Sequence, residues 1–114
     1  MTQETIETGI ETGSGNIFAD LGYAEADAHL FKAQLVTRIK DVMTQRGLTQ
    51  TAAAKAAGVS QPDISRMLKG HFRDVSVERI MRMLTRLGCQ IDVIVRPAGS
   101  VGQVSAIRFV EAGV

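Results

Sequence analysis

The sequence contains no tryptophan, and aromatic residues make up only 4% of it. Because β-sandwich cores rely on aromatic side chains, this shortage favours a small helical core of Ala, Leu, Ile, Val and Met. Cys89 is the single cysteine, which excludes an internal disulfide and a cysteine framework for zinc. We therefore expect a reducing, cytoplasmic setting.

Long apolar runs are also missing, and none approaches the roughly 20 residues of a membrane-spanning helix. The beginning of the chain, MTQETIETGIETGSGN, lacks the basic and apolar regions of a signal peptide, so we expect no membrane association. No nucleophile motif or Gly-rich phosphate loop is present, and His29 and His71 lie far apart in sequence without a ligand cluster. The sequence thus predicts no enzyme, no catalytic residue, no metal and no cofactor.

Basic residues are absent from residues 1–31, which contain six Asp and Glu. Residues 32–86 reverse this balance: they hold eleven Lys and Arg and four Asp and Glu, a net charge of +7 in a chain whose formal net charge is +1. A basic middle of this kind indicates either a polyanionic partner or an ordinary solvated helical surface, and composition leaves both interpretations open.

The sequence pattern divides the chain into three predicted parts. Residues 1–16 repeat Glu-Thr three times and end in a Gly- and Ser-rich stretch, which predicts a disordered polar tail. Residues 17–88 are predicted to form a helical domain that begins with a short ordered lead-in. Residues 89–114 are predicted to form a C-terminal strand or hairpin that serves dimerisation.

Four helices are predicted within the domain from apolar spacing, hydroxyl N-caps and glycine stops. The predicted helices are Ala24 to Arg46, Gln50 to Ala57 after the cap Thr49, a helix from the cap Ser60 to Lys69, and one from the cap Ser76 to Leu87. Their predicted inward residues are Leu30, Leu35, Ile39, Val42 and Met43 in the first helix, Ile64, Met67 and Leu68 in the third, and Ile80, Met83, Leu84 and Leu87 in the fourth.

The periodicity changes from helical to alternating after Gly88. The stretch CQIDVIVRP predicts a strand over residues 90–96, and residues 103–111 are a candidate second strand. The predicted dimerisation residues are Ile91, Val93 and Val95. Because a lone strand has an open edge, we expect it to pair with the same strand of a second copy or with residues 103–111 in a hairpin. Both pairings can coexist in a four-stranded sheet.

Residues 49–69 have the spacing of a helix-turn-helix unit. In such a unit the second helix enters the DNA major groove, and its exposed positions must be polar to meet base edges. The candidate DNA-binding residues are Gln50, Ser60, Gln61, Pro62, Asp63, Ser65, Arg66 and Lys69. The side chain of Gln61 can form two hydrogen bonds with adenine, and that of Arg66 can form two with guanine. Gln50 opens the preceding helix, where it can meet a phosphate.

Two of these candidates have an alternative interpretation each. Asp63 could accept a hydrogen bond from cytosine, or act only as a favourable acid in the first turn of a helix. Pro62 could contact a thymine methyl group, or only stiffen the start of the helix. Further basic residues that could reach phosphates, or be ordinary surface, are Arg38, Lys40, Lys55, Arg73, Arg79 and Arg82.

The stretch LTQTAAAKAAGVSQPDISRMLKG, residues 48–70, resembles the XRE-type, lambda-repressor-like helix-turn-helix family. The matching elements are Thr49-Gln50, Ala54, Gly58-Val59, Ser60-Gln61, Ile64, and Leu68 before Gly70. Residues 16–50 and 73–98 resemble a compact branch that includes HigA-type antitoxins, through FADLG, the S-ERI-RML-LG helix and the D-VIVRP end. The sequence departs from the pattern in its Ala-rich second helix, where members often carry a bulkier acidic residue, and residues 99–114 lie beyond it.

The resemblance implies a mainly α fold: a lambda-repressor-like bundle of four to five helices with a C-terminal β-strand or hairpin paired across a dimer. It implies a cytoplasmic, nucleoid-associated homodimer that reads a palindromic operator in double-stranded DNA and represses its own transcription. It further implies an antitoxin that binds a RelE/HigB-like ribonuclease toxin. The alternatives are a stand-alone regulator without a toxin, and a protein-interaction module that has kept the fold.

Overall fold

The computed structural model describes residues 25–105 and 107–110, and within them the chain forms four helices. These are α1, Glu25–Arg46; α2, Gln50–Ala57; α3, Gln61–Leu68; and α4, Val77–Arg86. The four predicted helices are confirmed, and each ends within one residue of its predicted end. The predicted polar tail and the predicted lead-in lie outside the described residues. No described helix is both long enough and apolar enough to cross a membrane.

Hydroxyl caps determine where the three shorter helices begin. Each cap oxygen accepts a hydrogen bond from the backbone N–H three residues later, which satisfies one of the free donors at a helix start. The pairs are Thr49 Oγ1 with Ala52 N at 3.1 Å, Ser60 Oγ with Asp63 N at 3.2 Å, and Ser76 Oγ with Arg79 N at 3.1 Å. These caps were predicted from the sequence. The Ser60 cap starts α3 directly after the turn at Gly58.

Gly58 makes the turn between α2 and α3 possible. Its φ of 78° lies in the left-handed region, and its N–H faces the last carbonyls of α2. A side chain at this position would be strained in that conformation. It would also collide with the guanidinium of Arg86 from α4, which lies against the turn.

The core lies where the helices meet, and its largest fully buried side chains come from α1, α3 and α4. They are Ile39, Ile64, Ile80, Met83 and Val77. Helix α2 contributes only alanines, Ala53, Ala54 and Ala57, whose small side chains let the neighbouring helices approach closely. Most predicted inward residues are confirmed, although Met43 and Leu68 are only partly buried.

Leu30 is the exception, because 60% of its surface is exposed. At about 100° per residue it lies roughly 140° around α1 from the buried Leu35, so the prediction that it shares the buried stripe is wrong.

The C-terminal segment contains no β-strand in the described residues 89–105 and 107–110. Ile91 is partly buried, whereas Val93 and Val95 are 81% and 83% exposed. A strand exists only as part of a hydrogen-bonded ladder, and these residues form no ladder within the chain. The predicted strand over 90–96 and the internal hairpin with 103–111 are therefore wrong for the single chain.

The end of the chain instead returns to α1 after a turn. Gln103 N donates to Ser100 O at 3.0 Å, and Ser100 N donates to Gln103 Oε1 at 2.9 Å. Phe109 is partly buried, and its ring meets Phe31 of α1 edge-on with 6.0 Å between centroids. Residues 90–98, here called the C-terminal arm, are largely exposed.

Candidate nucleic-acid interface

Helix α3 is amphipathic, with one face in the core and a polar face outside. Ile64 is fully buried and Met67 is 4% exposed, which anchors the helix to the bundle. Among the predicted site residues, Ser60, Gln61, Pro62, Arg66 and Lys69 are exposed, whereas Gln50, Asp63 and Ser65 are partly buried. The buried face determines which way the polar side chains point, so the predicted residues of α3 lie outside the core, from the N-cap Ser60 to the C-cap Lys69, and Gln50 lies at the start of α2.

A side-chain hydrogen bond joins the starts of the two helices. Gln61 Nε2 donates to Gln50 Oε1 at 2.9 Å, across eleven residues of sequence. This bond uses one donor of Gln61 and leaves its amide oxygen and second N–H available for another partner. The two candidate residues therefore form one preorganised polar unit.

Asp63 is held between two arginines. Its Oδ1 pairs with Arg66 Nη2 one turn further along α3, and its Oδ2 lies 3.9 Å from Arg79 Nη2 of α4. The side chain of Asp63 is 35% exposed, and those of Arg66 and Arg79 are 60% and 55% exposed. Charges at this exposure are screened by solvent, so these ion pairs add little to the stability of the fold. Their main effect is on the orientation of the three side chains.

A groove of about 520 Å³ lies beside α3, and Arg66, Arg73 and Arg79 are among the residues that line it. Asp63 and Asp74 also line the groove, so its charged groups are three cations and two carboxylates. The cations of this groove come from three parts of the chain: α3, the loop before α4, and α4 itself.

The loop between α3 and α4 is tied to α1, which fixes one wall of the groove. Lys32, only 8% exposed, donates from Nζ to Arg73 O at 2.9 Å. The ring of His29 stacks on Phe72 with 4.7 Å between centroids and 17° between planes. The backbone of Arg73 is therefore held in place, although its side chain is exposed.

Sequence reasoning placed Arg73 and Arg79 only among the undecided basic residues. The structure places both beside α3, and no local pattern could have shown this because Arg79 lies sixteen residues after Asp63. The predicted dimerisation residues, Ile91, Val93 and Val95, belong to the C-terminal arm and are not among the residues that line the groove. Within the described part of the chain, no group of His, Cys, Asp or Glu is arranged to hold a metal ion.

Two short helices joined by a glycine turn, the second with a buried apolar face and a polar outer face, define a helix-turn-helix protein. The chain belongs to the helix-turn-helix domain family, whose family model matches residues 17–96. This match confirms the predicted family and spans the whole helical bundle.

A solved structure described as an XRE family transcriptional regulator is similar to this chain. The similarity covers 78% of this chain and 100% of that one, with 27% sequence identity and a TM-score of 0.70. The mainly α, helix-turn-helix part of the predicted fold class is thereby confirmed. The comparison with curated proteins found no match.

Proposed function

We propose that this chain is a sequence-specific DNA-binding transcriptional regulator that inserts α3 into the major groove. The observation that carries the proposal is the polar outer surface of α3, where Gln61 is exposed at the first residue of the helix and Arg66 is exposed on the side away from the buried Ile64. The groove accommodates one helix, and Gln and Arg side chains match the edges of adenine and guanine.

Phosphate contacts would fix the position of α3 on the duplex. The start of α2 offers free backbone N–H groups and the side chain of Gln50, which is already bonded to Gln61. Beside α3, Arg73 and Arg79 line the groove. Hydrogen-bond donors at the start of α2 and basic groups in the groove would together hold the DNA backbone next to the reading helix.

A homodimer is part of this proposal, and the C-terminal arm is its interface. Val93, Ile94 and Val95 are 81%, 73% and 83% exposed, which is unfavourable for three consecutive apolar side chains in water. Pairing of two arms about a two-fold axis would cover these side chains and complete a ladder. The two α3 helices would then read half-sites about 34 Å apart in a palindrome.

We further propose that the regulator is an antitoxin that represses its own operon and binds a ribonuclease toxin. This part rests on the resemblance of the lead-in, the helix over 76–88 and the end DVIVRP to HigA-type proteins. A stand-alone regulator would share the DNA-binding surface but would have no partner. Co-expression with the product of the adjacent open reading frame, followed by purification of the pair, distinguishes the two. Either form would act in the cytoplasm, at the nucleoid.

Titration of the full-length protein against its own upstream DNA, at two salt concentrations, tests the proposed function. We expect tight binding that exceeds binding to random duplex, with a slope of log affinity against log salt of about −0.9 per neutralised phosphate. Fluorescence anisotropy with labelled duplexes measures both. Weak binding that does not change with salt would contradict DNA recognition and favour a protein-interaction module.

Val93→Asp is expected to dissociate the dimer. Two arms paired about a two-fold axis would place the new carboxylates close together in an apolar interface, where burial of unpaired charge is costly. Sedimentation equilibrium should change from dimer mass to monomer mass. Val101→Asp is the matched control, because Val101 is fully exposed in the turn beyond the arm and should leave the mass unchanged. An unchanged mass for Val93→Asp would contradict the arm as the interface.

A further inference from the structure

We infer that Asp63 is a positioning residue that orients Arg66 toward its base, and that Arg79 completes this arrangement from α4. The inference rests on the proposed DNA-binding function and identifies which residues set its specificity. It assigns Asp63 a role other than base contact, although Asp63 lies at the start of the reading helix.

Both carboxylate oxygens of Asp63 already face a guanidinium. Oδ1 pairs with Arg66 Nη2, and Oδ2 lies 3.9 Å from Arg79 Nη2. A carboxylate that read cytosine would have to direct one oxygen at the edge of the base. In the structure both oxygens are instead directed at guanidiniums, which favours the positioning role.

The position of Asp63 on the helix suits the positioning role. Asp63 and Arg66 are three residues apart, so they lie on the same side of α3 and their side chains pair. The backbone N–H of Asp63 is fixed by the Ser60 cap at 3.2 Å, so its carboxylate projects from a defined point. Arg66, 60% exposed, is a long side chain whose many rotamers would otherwise have to be ordered when DNA binds.

Arg79 has a separate effect on the same carboxylate. A negative charge next to a DNA backbone is repelled, and a second guanidinium beside Asp63 offsets that repulsion. The Ser76 cap accepts from the backbone N–H of Arg79 at 3.1 Å, so this cation also projects from a fixed position. Helix α4 thus acts on recognition through Asp63.

The test begins with selection of duplexes from a pool with a randomised central segment, using wild-type protein. The most enriched duplex and its single-base-pair variants are then titrated with four proteins: wild type, Asp63→Asn, Arg66→Ala and the double variant. Discrimination is the ratio of the affinity for the enriched duplex to the affinity for a single-base-pair variant. We expect Asp63→Asn to lower this ratio by about two- to tenfold, which corresponds to the free-energy cost of ordering one long side chain. This loss should fall at the base pair that Arg66→Ala also affects, and the double variant should lose no more discrimination than Arg66→Ala alone.

Affinity of Asp63→Asn for random duplex should rise, because the variant loses one negative charge near the phosphates. A merely structural role would lower affinity on every duplex and would not give these opposite changes. Asp63→Glu restores the charge and should recover part of the discrimination. Arg79→Gln should reduce discrimination at the same base pair by a smaller factor, because the Arg79 contact is longer.

Loss of discrimination at a different base pair would show that Asp63 reads a base itself and would overturn the inference. Unchanged discrimination in Asp63→Asn would overturn it as well. Failure of wild-type protein to enrich any duplex is a separate outcome that would contradict the proposed function. Thermal unfolding followed by circular dichroism confirms that each variant is folded before it is titrated.

Discussion

Ile64→Ala should lower the free energy of unfolding by about 2–5 kcal/mol, a large fraction of the roughly 5–15 kcal/mol expected for a whole domain. Ile64 has no exposed surface and is the largest apolar residue that α3 contributes to the core. The substitution removes three buried carbon atoms and leaves a cavity among the helices. Urea unfolding at a fixed protein concentration measures the loss, and the concentration must match because dimerisation contributes to apparent stability.

Leu30→Ala is the matched control for this measurement, because it also removes three carbon atoms from a helical residue. Leu30 is 60% exposed, so its truncation should change stability by about 0.5 kcal/mol or less. Equal losses for the two variants would contradict the position of α3 in the core. The same variants also test function, since a displaced α3 can no longer direct Gln61 and Arg66 to one surface.

Arg66→Ala should weaken binding to the specific site by about 1–3 kcal/mol and change binding to random duplex little. Arg66 is exposed in the last turn of α3, and a bidentate Arg–guanine contact exists only at the correct base. Gln61→Ala should give a loss of similar size, because it removes both the candidate base contact and the bond to Gln50. Parallel titrations of specific and random duplexes give the two affinities.

Lys40→Ala controls for the loss of one positive charge. Lys40 is exposed on α1, outside the helix-turn-helix unit, so any effect should be small and equal on the two duplexes. Equal losses of Arg66→Ala on both duplexes would make Arg66 a phosphate contact. The preference for the specific site would then have to come from other residues of α3 or from the shape of the DNA.

Local sequence signals predicted the helical part of the molecule well. The cap at Ser60, the glycine at position 58 and the spacing of Ile64 and Met67 each act within a few residues, so they can be recognised without the fold. The same signals placed Gln61 and Arg66 outside, because a helix whose one face is buried has only one other face to expose. The prediction that these residues bind DNA awaits the titrations described above.

Local signals were insufficient for the C-terminal segment. The alternation around Val93 indicates high β-propensity, but propensity does not supply the neighbour whose hydrogen bonds make a strand. The single chain leaves this residue 81% exposed. The contact between Phe109 and Phe31 could not be predicted from the sequence either, because the two residues are far apart in the chain and no short pattern connects them.

Local sequence signals specify where the helices begin and end and which face of α3 is apolar, because caps, glycines and apolar spacing act over a few residues. The packing of the helices specifies which groups meet across them: Gln61 with Gln50, and Asp63 with Arg79. It also specifies that Arg73 and Arg79 line one groove. These contacts depend on how the helices pack around Ile64 and its neighbours, and packing is a property of the whole bundle.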